Sequence, residues 1–241
     1  MTQGIFIIGT DTEVGKTVVS AGLMYLLRKK HYRAAYFKPI ASGEVDPEHG
    51  SGSPDASFVK VVSGFDEQER NITPFAFKNA VAPHLASRME GRPIEPSVIQ
   101  GAFRELMRRY EWIVAEGAGG IAIPLNDKGY MQYDLIQHLG FSCFLVCRTN
   151  LGTINHTLLT VRYAESLGIR VKGLFMSGYG RSELERDNME TIRQLTGINA
   201  IFTIPVLAGV DTEKLQVGNL RTVFEEWIDI DEIAALMEVV G

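Results

Sequence analysis

Residues 4–19 read GIFIIGTDTEVGKTVV. An apolar run ends at Gly9, a short polar stretch follows, and Gly15, Lys16 and Thr17 open a segment, VVSAGLMYLLRK, whose apolar positions recur at helical spacing. Strand, glycine-lysine-threonine turn and helix, in that order, let backbone N–H groups and a helix N-terminus converge on phosphate oxygens. Lys16 then brings a point charge to the β- and γ-phosphates, and Thr17 offers its hydroxyl to Mg²⁺. The predicted nucleotide contacts are Glu13, Val14, Gly15, Lys16, Thr17 and Val18. Five residues separate Gly9 from Gly15 where the usual pattern has four. The glycine-lysine-threonine end carries the chemistry and the entry only shapes the turn. A plain glycine turn with a capping threonine is the competing reading, and the position between strand and helix weighs against it.

Outward from this unit the pattern repeats. The runs IFIIG, AAYFK, WIVAE, CFLVC, VKGLFMS and AIFTIP are apolar without alternation, as strands buried on both faces are. Residues 17–30, 55–63, 95–109, 154–167 and 183–196 carry helical periodicity between them. Strand-helix alternation predicts one α/β domain over residues 1–241: a doubly wound, mainly parallel sheet with right-handed crossovers and helices on both faces. The Gly/Ser/Pro-rich residues 41–55 read as a long functional loop, and the C-terminal FEEWIDIDEIAALMEVV reads as a terminal helix.

Composition narrows the classes of function. With 29 acidic against 24 basic residues and no basic run, the chain is not expected to bind nucleic acid. The opening MTQGIFIIG has no basic leader, and Gly9 and Asp11 break its apolar run, so neither a signal peptide nor a membrane span is expected there and the prediction is cytoplasmic. Cys143 and Cys147, four apart on one strand, are too distant for a disulfide and read as core residues.

Ligands of open parallel sheets bind beyond the carboxyl ends of the strands. Lys38 stands at one such end before Pro39; alone it reads equally as a lysine reaching solvent. Asp55 follows the cap Ser53 and Pro54 in a first helical turn, where an acid suits the helix dipole whether or not it binds a ligand. Glu116 leaves its strand into a glycine-rich turn, GAGG, as a metal-ligating carboxylate does; Gly117, Gly119 and Gly120 would let backbone approach a ligand closely, and Gly117, Ala118 and Gly119 count among the expected nucleotide contacts. Thr153 and Asn155 open a helix whose N-terminus forms an anion site; His156 reads as a packing or capping residue. Ser177 and the run Pro205, Val206 and Leu207 follow the last two strands, where a purine would lie.

Taken as an ordered series, GTDTEVGKT, FKPIASG, SPDAS, EGAGG, LGTINHTLLT and TIPVLAG closely resemble the dethiobiotin synthetases, ATP-dependent enzymes of the P-loop NTPase-like fold. The likeness runs from the first strand to about residue 210, and the longer loop entry is that family's own form of the motif. The resemblance implies that 7,8-diaminononanoate, CO₂ (or bicarbonate) and ATP give dethiobiotin, ADP and phosphate through a carbamate and a carbamic-phosphoric anhydride. It further implies Lys16, Lys38 and Thr12 as catalytic residues and Ser42, Thr12 and Asn155 as substrate contacts. Mg²⁺ falls to Thr17, Asp55 and Glu116, and the assembly is expected to be a homodimer.

Ser177 stands where family members often carry asparagine, and a hydroxyl cannot pair with adenine as an amide does, so a relaxed base preference is expected. Two rivals remain. A partition-type ATPase carries a signature lysine where this chain has Asp11, and a cobyrinate-amidase-like synthetase carries an appended glutaminase domain for which this chain is too short.

Overall fold

A computed structural model describes residues 1–43 and 53–241. In chain order its elements are β1 (Gln3–Gly9), α1 (Lys16–Lys29), β2 (Ala34–Phe37), β3 (Ile40–Ser42), α2 (Pro54–Ser63), α3 (Glu69–Ile72), β4 (Phe75–Phe77), α4 (Pro83–Met89) and α5 (Pro96–Arg109). Then follow β5 (Trp112–Gly120), α6 (Gln132–His138), β6 (Cys143–Arg148), α7 (Thr153–Ser166), β7 (Val171–Ser177), α8 (Glu183–Thr196), β8 (Ile201–Ile204), α9 (Leu220–Trp227), α10 (Ile230–Leu236) and β9 (Glu238–Val239). The main sheet has the order β2-β5-β1-β6-β7-β8, all parallel. Every strand of that path is one of the continuous apolar runs, and β2 and the interior of β1 are fully buried. Such strands have no solvent side, which is why their sequences do not alternate.

From β1 the chain crosses one way to β2, and from β6 it crosses the other way to β7 and β8. Right-handed crossovers in opposite directions put α1 on one face and α7 and α8 on the other. Phe37 meets Phe103 of α5 with ring centroids 5.7 Å apart, so α5 covers the face opposite to Tyr36 and Lys38, whose side chains alternate with Phe37. Cys143 and Cys147 are buried and free, and burial pushes the Cys147 thiol up to about 11. Among the described residues no helix is long and apolar enough to cross a membrane.

Three expectations need correction. The GAGG after Glu116 is not a turn beyond the strand but the continuation of β5. Between the pairs Ile7↔Glu116 and Gly9↔Gly120, β1 advances two residues and β5 four, so β5 bulges over 117–119. The C-terminal segment is not one helix. Trp227 ends α9, the Asp229 side chain caps α10 through the Asp231 N–H, and Glu238–Val239 pairs antiparallel with Gln3 and Gly4 of β1. That strand fills the edge of β1 that β6, which first pairs at Phe6, leaves free. Finally, Pro39 does end β2, but the chain then pairs β3 with β4 as a separate two-stranded parallel sheet too short to stand out in the sequence. Of the expected loop at 41–55, residues 44–52 lie outside the described residues.

Candidate active site

The loop after β1 curls so that Lys16, the first residue of α1, donates its ammonium back to the Asp11 carbonyl at 2.9 Å. Gly15 caps α1 at φ +102°, a conformation that glycine adopts without strain. No side chain caps the helix, so its N-terminal N–H groups stay available to an anion. Thr17 turns its hydroxyl inward, where its one proton is shared between Asp55 Oδ1 and Glu116 Oε1, each 2.9 Å away.

Around that hydroxyl the ends of three elements meet. Asp55 sits in the first turn of α2, where the Ser53 hydroxyl accepts from the Ala56 N–H and Pro54 takes the first helical position, as expected. Glu116 is completely buried on β5. Lys38, one residue past β2 and also buried, places its ammonium 2.7 Å from Asp55 Oδ2, 2.7 Å from Glu116 Oε1 and 3.3 Å from the Gly117 carbonyl. The lysine that the sequence left between solvent and site belongs to the site.

The electrostatics follow from this packing. Burial works against the charge of Lys38, yet Asp55 and Glu116 together outweigh it and hold its pKa above the usual lysine range. Burial likewise opposes ionisation of Asp55, but the Lys38 ammonium prevails and keeps its carboxyl below the ordinary value. Lys16 is depressed, first by burial and then by the Lys38 ammonium, so the two lysines share one field. Two ammonium groups and two carboxylates balance to zero, and the helix N-terminus beside them favours an arriving anion.

The remaining predicted residues divide. Thr12 and Glu13 are exposed on the loop, with Glu13 at φ +54°, while Val14 is buried and Val18 packs half-buried on the core. Thr12 lies beside Gly119. Gly117 and Ala118 have a use within the fold itself. A Cβ at Gly117 would fall 2.6 Å from the Gln132 side chain, and that buried amide accepts the Ala118 N–H and donates to the Gly120 carbonyl, both at 2.7 Å. The glycine makes room for Gln132, and the Ala118 N–H is held by that side chain. Ser42 and Asn155 are exposed, and no hydrogen bond among the described residues ties either to the lysine–carboxylate cluster. His156 is exposed as well, not packed.

Ser177 ends β7 directly opposite Ile204, so Pro205, Val206 and Leu207 begin one residue beyond its partner. The Ser177 hydroxyl points at Gly15, 2.9 Å from where a Cβ would stand. Between this loop and the ends of β6 and β7 lies a cavity of about 340 Å³, lined among others by Glu13, Gly15, Arg148, Thr149, Asn150 and Ser177; Pro205–Leu207 are not part of its wall. A larger one, about 600 Å³, lies between the end of α1 and the α9–α10 junction and touches none of the lysines and carboxylates above.

Several residues here escape the sequence reading. Arg148 donates to the Glu13 carbonyl at 3.2 Å. Glu185 of α8 accepts from Thr149, the Gly180 N–H and Ser182, while Asn188 donates to the Thr149 carbonyl, so α8 fastens the loops after β6 and β7. Tyr36 donates to Glu116 Oε2 at 2.8 Å. Two of these had a signal: period two puts Tyr36 on the same strand face as Lys38, and Ser182 with Glu185 fits the capping-box pattern.

Comparison with known proteins fits this geometry. The AAA domain family model matches residues 3–214. The chain is 40% identical over 230 residues to the ATP-dependent dethiobiotin synthetase of Clostridium novyi, covering 94% of this chain and 95% of that protein. Those of Clostridium acetobutylicum (39%, 99% and 100% covered) and Bacillus subtilis (38%, 88% and 90% covered) are similar to it as well.

The chain belongs to the dethiobiotin synthetase family.

Among solved structures, the MinD cell division protein of Aquifex aeolicus superposes with a TM-score of 0.61 at 12% identity, covering 100% of this chain and 99% of that one. The MinD protein of Pyrococcus horikoshii, solved as its Mg-ADP complex, gives 0.56 at 14%, covering 97% and 96%. At such identities the likeness is one of fold, so the partition-type rival gains no functional support from it.

Proposed function

We propose that this chain joins 7,8-diaminononanoate and CO₂ to dethiobiotin at the expense of ATP, in the cytoplasm, with Lys16 and Lys38 at the reacting centre. The observation that carries this assignment is the buried meeting of Thr17, Lys38, Asp55 and Glu116 immediately beside the phosphate-loop lysine. Family membership selects the reaction. The geometry supports the roles.

The chemistry asks for charge stabilisation and placement rather than a protein nucleophile. One substrate amine takes up CO₂ as a carbamate. A carbamate oxygen attacks the γ-phosphorus and ADP leaves; the second amine attacks the carbamoyl carbon and phosphate leaves as the ring closes. Lys16 and Lys38 stabilise the adjacent negative charges of carbamate and transferring phosphoryl group. Thr12 and Ser42 hydrogen-bond the carbamate or the diamine, and Asn155 with the α7 N-terminus takes the distal carboxylate across a homodimer interface. Exposed Leu151 and Leu159 at that end of the chain supply apolar surface for such an interface.

Two carboxylates and a hydroxyl are too few for an all-protein metal cage, and among the described residues no three or more His, Cys, Asp or Glu side chains gather to make one. They fit Mg²⁺, which binds through one or two carboxylates, keeps waters and shares phosphate oxygens. Thr17, Asp55 and Glu116 would hold it, and bound there it would neutralise charge on the phosphates. Gly15 with Arg148, Thr149 and Ser177 frames the space for the nucleoside, with Pro205–Leu207 alongside.

The test is product chemistry. With diamine and bicarbonate present, one nucleoside diphosphate should form per dethiobiotin made, ADP from ATP, CDP from CTP and GDP from GTP, at comparable initial rates given Ser177. ATP hydrolysis indifferent to the diamine would overturn the function; a strict ATP requirement would overturn only the base preference.

A further inference from the structure

The Glu116 carboxylate is held from both sides. Its Oε1 accepts from Thr17 at 2.9 Å and from Lys38 at 2.7 Å, and its Oε2 accepts from the Tyr36 hydroxyl at 2.8 Å. Tyr36 and Glu116 are both completely buried. β2 and β5 pair Tyr36 with Val114, and alternation then puts Tyr36, Lys38, Val114 and Glu116 on one face of two neighbouring strands. The terminal torsion of a glutamate is soft, so a carboxylate gripped at one oxygen can swing its plane. A donor on the second oxygen removes that freedom and leaves Oε1 aimed at Thr17.

We propose that Tyr36 is a positioning residue for magnesium: its hydroxyl locks the Glu116 carboxylate plane so that one oxygen, shared with Thr17, is presented to the ion. This rests on reading Glu116 as a metal contact. Partners of this kind, one bond removed from a metal, typically change metal affinity by about 10–100-fold when lost.

Mg²⁺ is titrated into full-length wild type, Tyr36→Phe and Glu116→Gln, each loaded with ADP, and binding is read by calorimetry and by the rise in melting temperature that Mg²⁺ adds over each variant's own ADP-bound baseline. Tyr36→Phe keeps the ring that packs the core. Its half-saturating Mg²⁺ should rise about tenfold, while ADP affinity in EDTA stays at the wild-type value, a split that general loosening of the core would not give. If Glu116→Gln shifts the titration and Tyr36→Phe superimposes on wild type, the proposal fails and the Glu116 assignment stands. If Glu116→Gln superimposes as well, the Glu116 assignment fails and Tyr36 falls with it. Because each variant is compared with its own baseline, a less stable Tyr36→Phe still reports.

Discussion

At the residue scale the arrangement turns on Lys38. Its ammonium places all three donors on Asp55, Glu116 and the Gly117 carbonyl, so it offsets one of the two carboxylate charges, and Lys16 beside it the other. Lys38→Ala should therefore do two things. Ring closure should be lost while nucleotide binding is largely kept, because this ammonium acts on the transferring group more than on ground-state ATP. The protein should also lose about 3 kcal/mol of stability, the low end for breaking a buried pair because Asp55 is partly exposed. Denaturant melts with and without Mg²⁺, alongside single-turnover ring closure, check both. Near-normal turnover would remove Lys38 from the mechanism. Period-two spacing already put Tyr36 and Lys38 on one face, yet nothing in the sequence says that Val114 and Glu116 share it, since that needs the β2–β5 register.

At the element scale, α8 ties the sheet's ligand-binding edge together. Glu185 accepts the Gly180 N–H, the Ser182 hydroxyl and N–H, and the Thr149 hydroxyl, and these bonds hold its pKa down to about 2. A depressed carboxylate contributes stability above its ordinary pKa and loses it as pH falls through the depressed one. Glu185→Gln should thus lower the melting temperature at pH 7. The gap to wild type should close as pH falls from about 4.5 toward about 2. A gap that stays constant in acid would show that the charge contributes nothing. The helix itself was legible from its apolar period. Its capping box, Ser182 with Glu185, fits the sequence pattern too, but the reach to Thr149 spans the β6–α7–β7 crossover and is visible only once β6 and β7 are neighbours.

At the scale of the whole molecule, the proposed homodimer would cover the exposed apolar side chains Leu151, Leu159 and Tyr163. Sedimentation should find twice the 26.7 kDa chain mass, and Leu159→Glu should shift it toward the single chain with the diamine KM raised more than the ATP KM. A monomeric wild type at micromolar concentration with full activity would refute the shared site.

The six principal strands, five of the helices and the phosphate loop were readable because each depends on local patterning: unbroken apolar runs, a helical period, a cap beside a proline. The residues of the lysine–carboxylate cluster were readable one at a time, Lys38 and Glu116 as polar groups closing apolar runs, Lys16 and Asp55 as residues opening helices. What required the tertiary structure was their convergence, the bulge that turns Gly117 toward Gln132, and the antiparallel β9. Each is a pairing between segments far apart in the chain, and neither composition nor periodicity encodes which strands become neighbours or in what register.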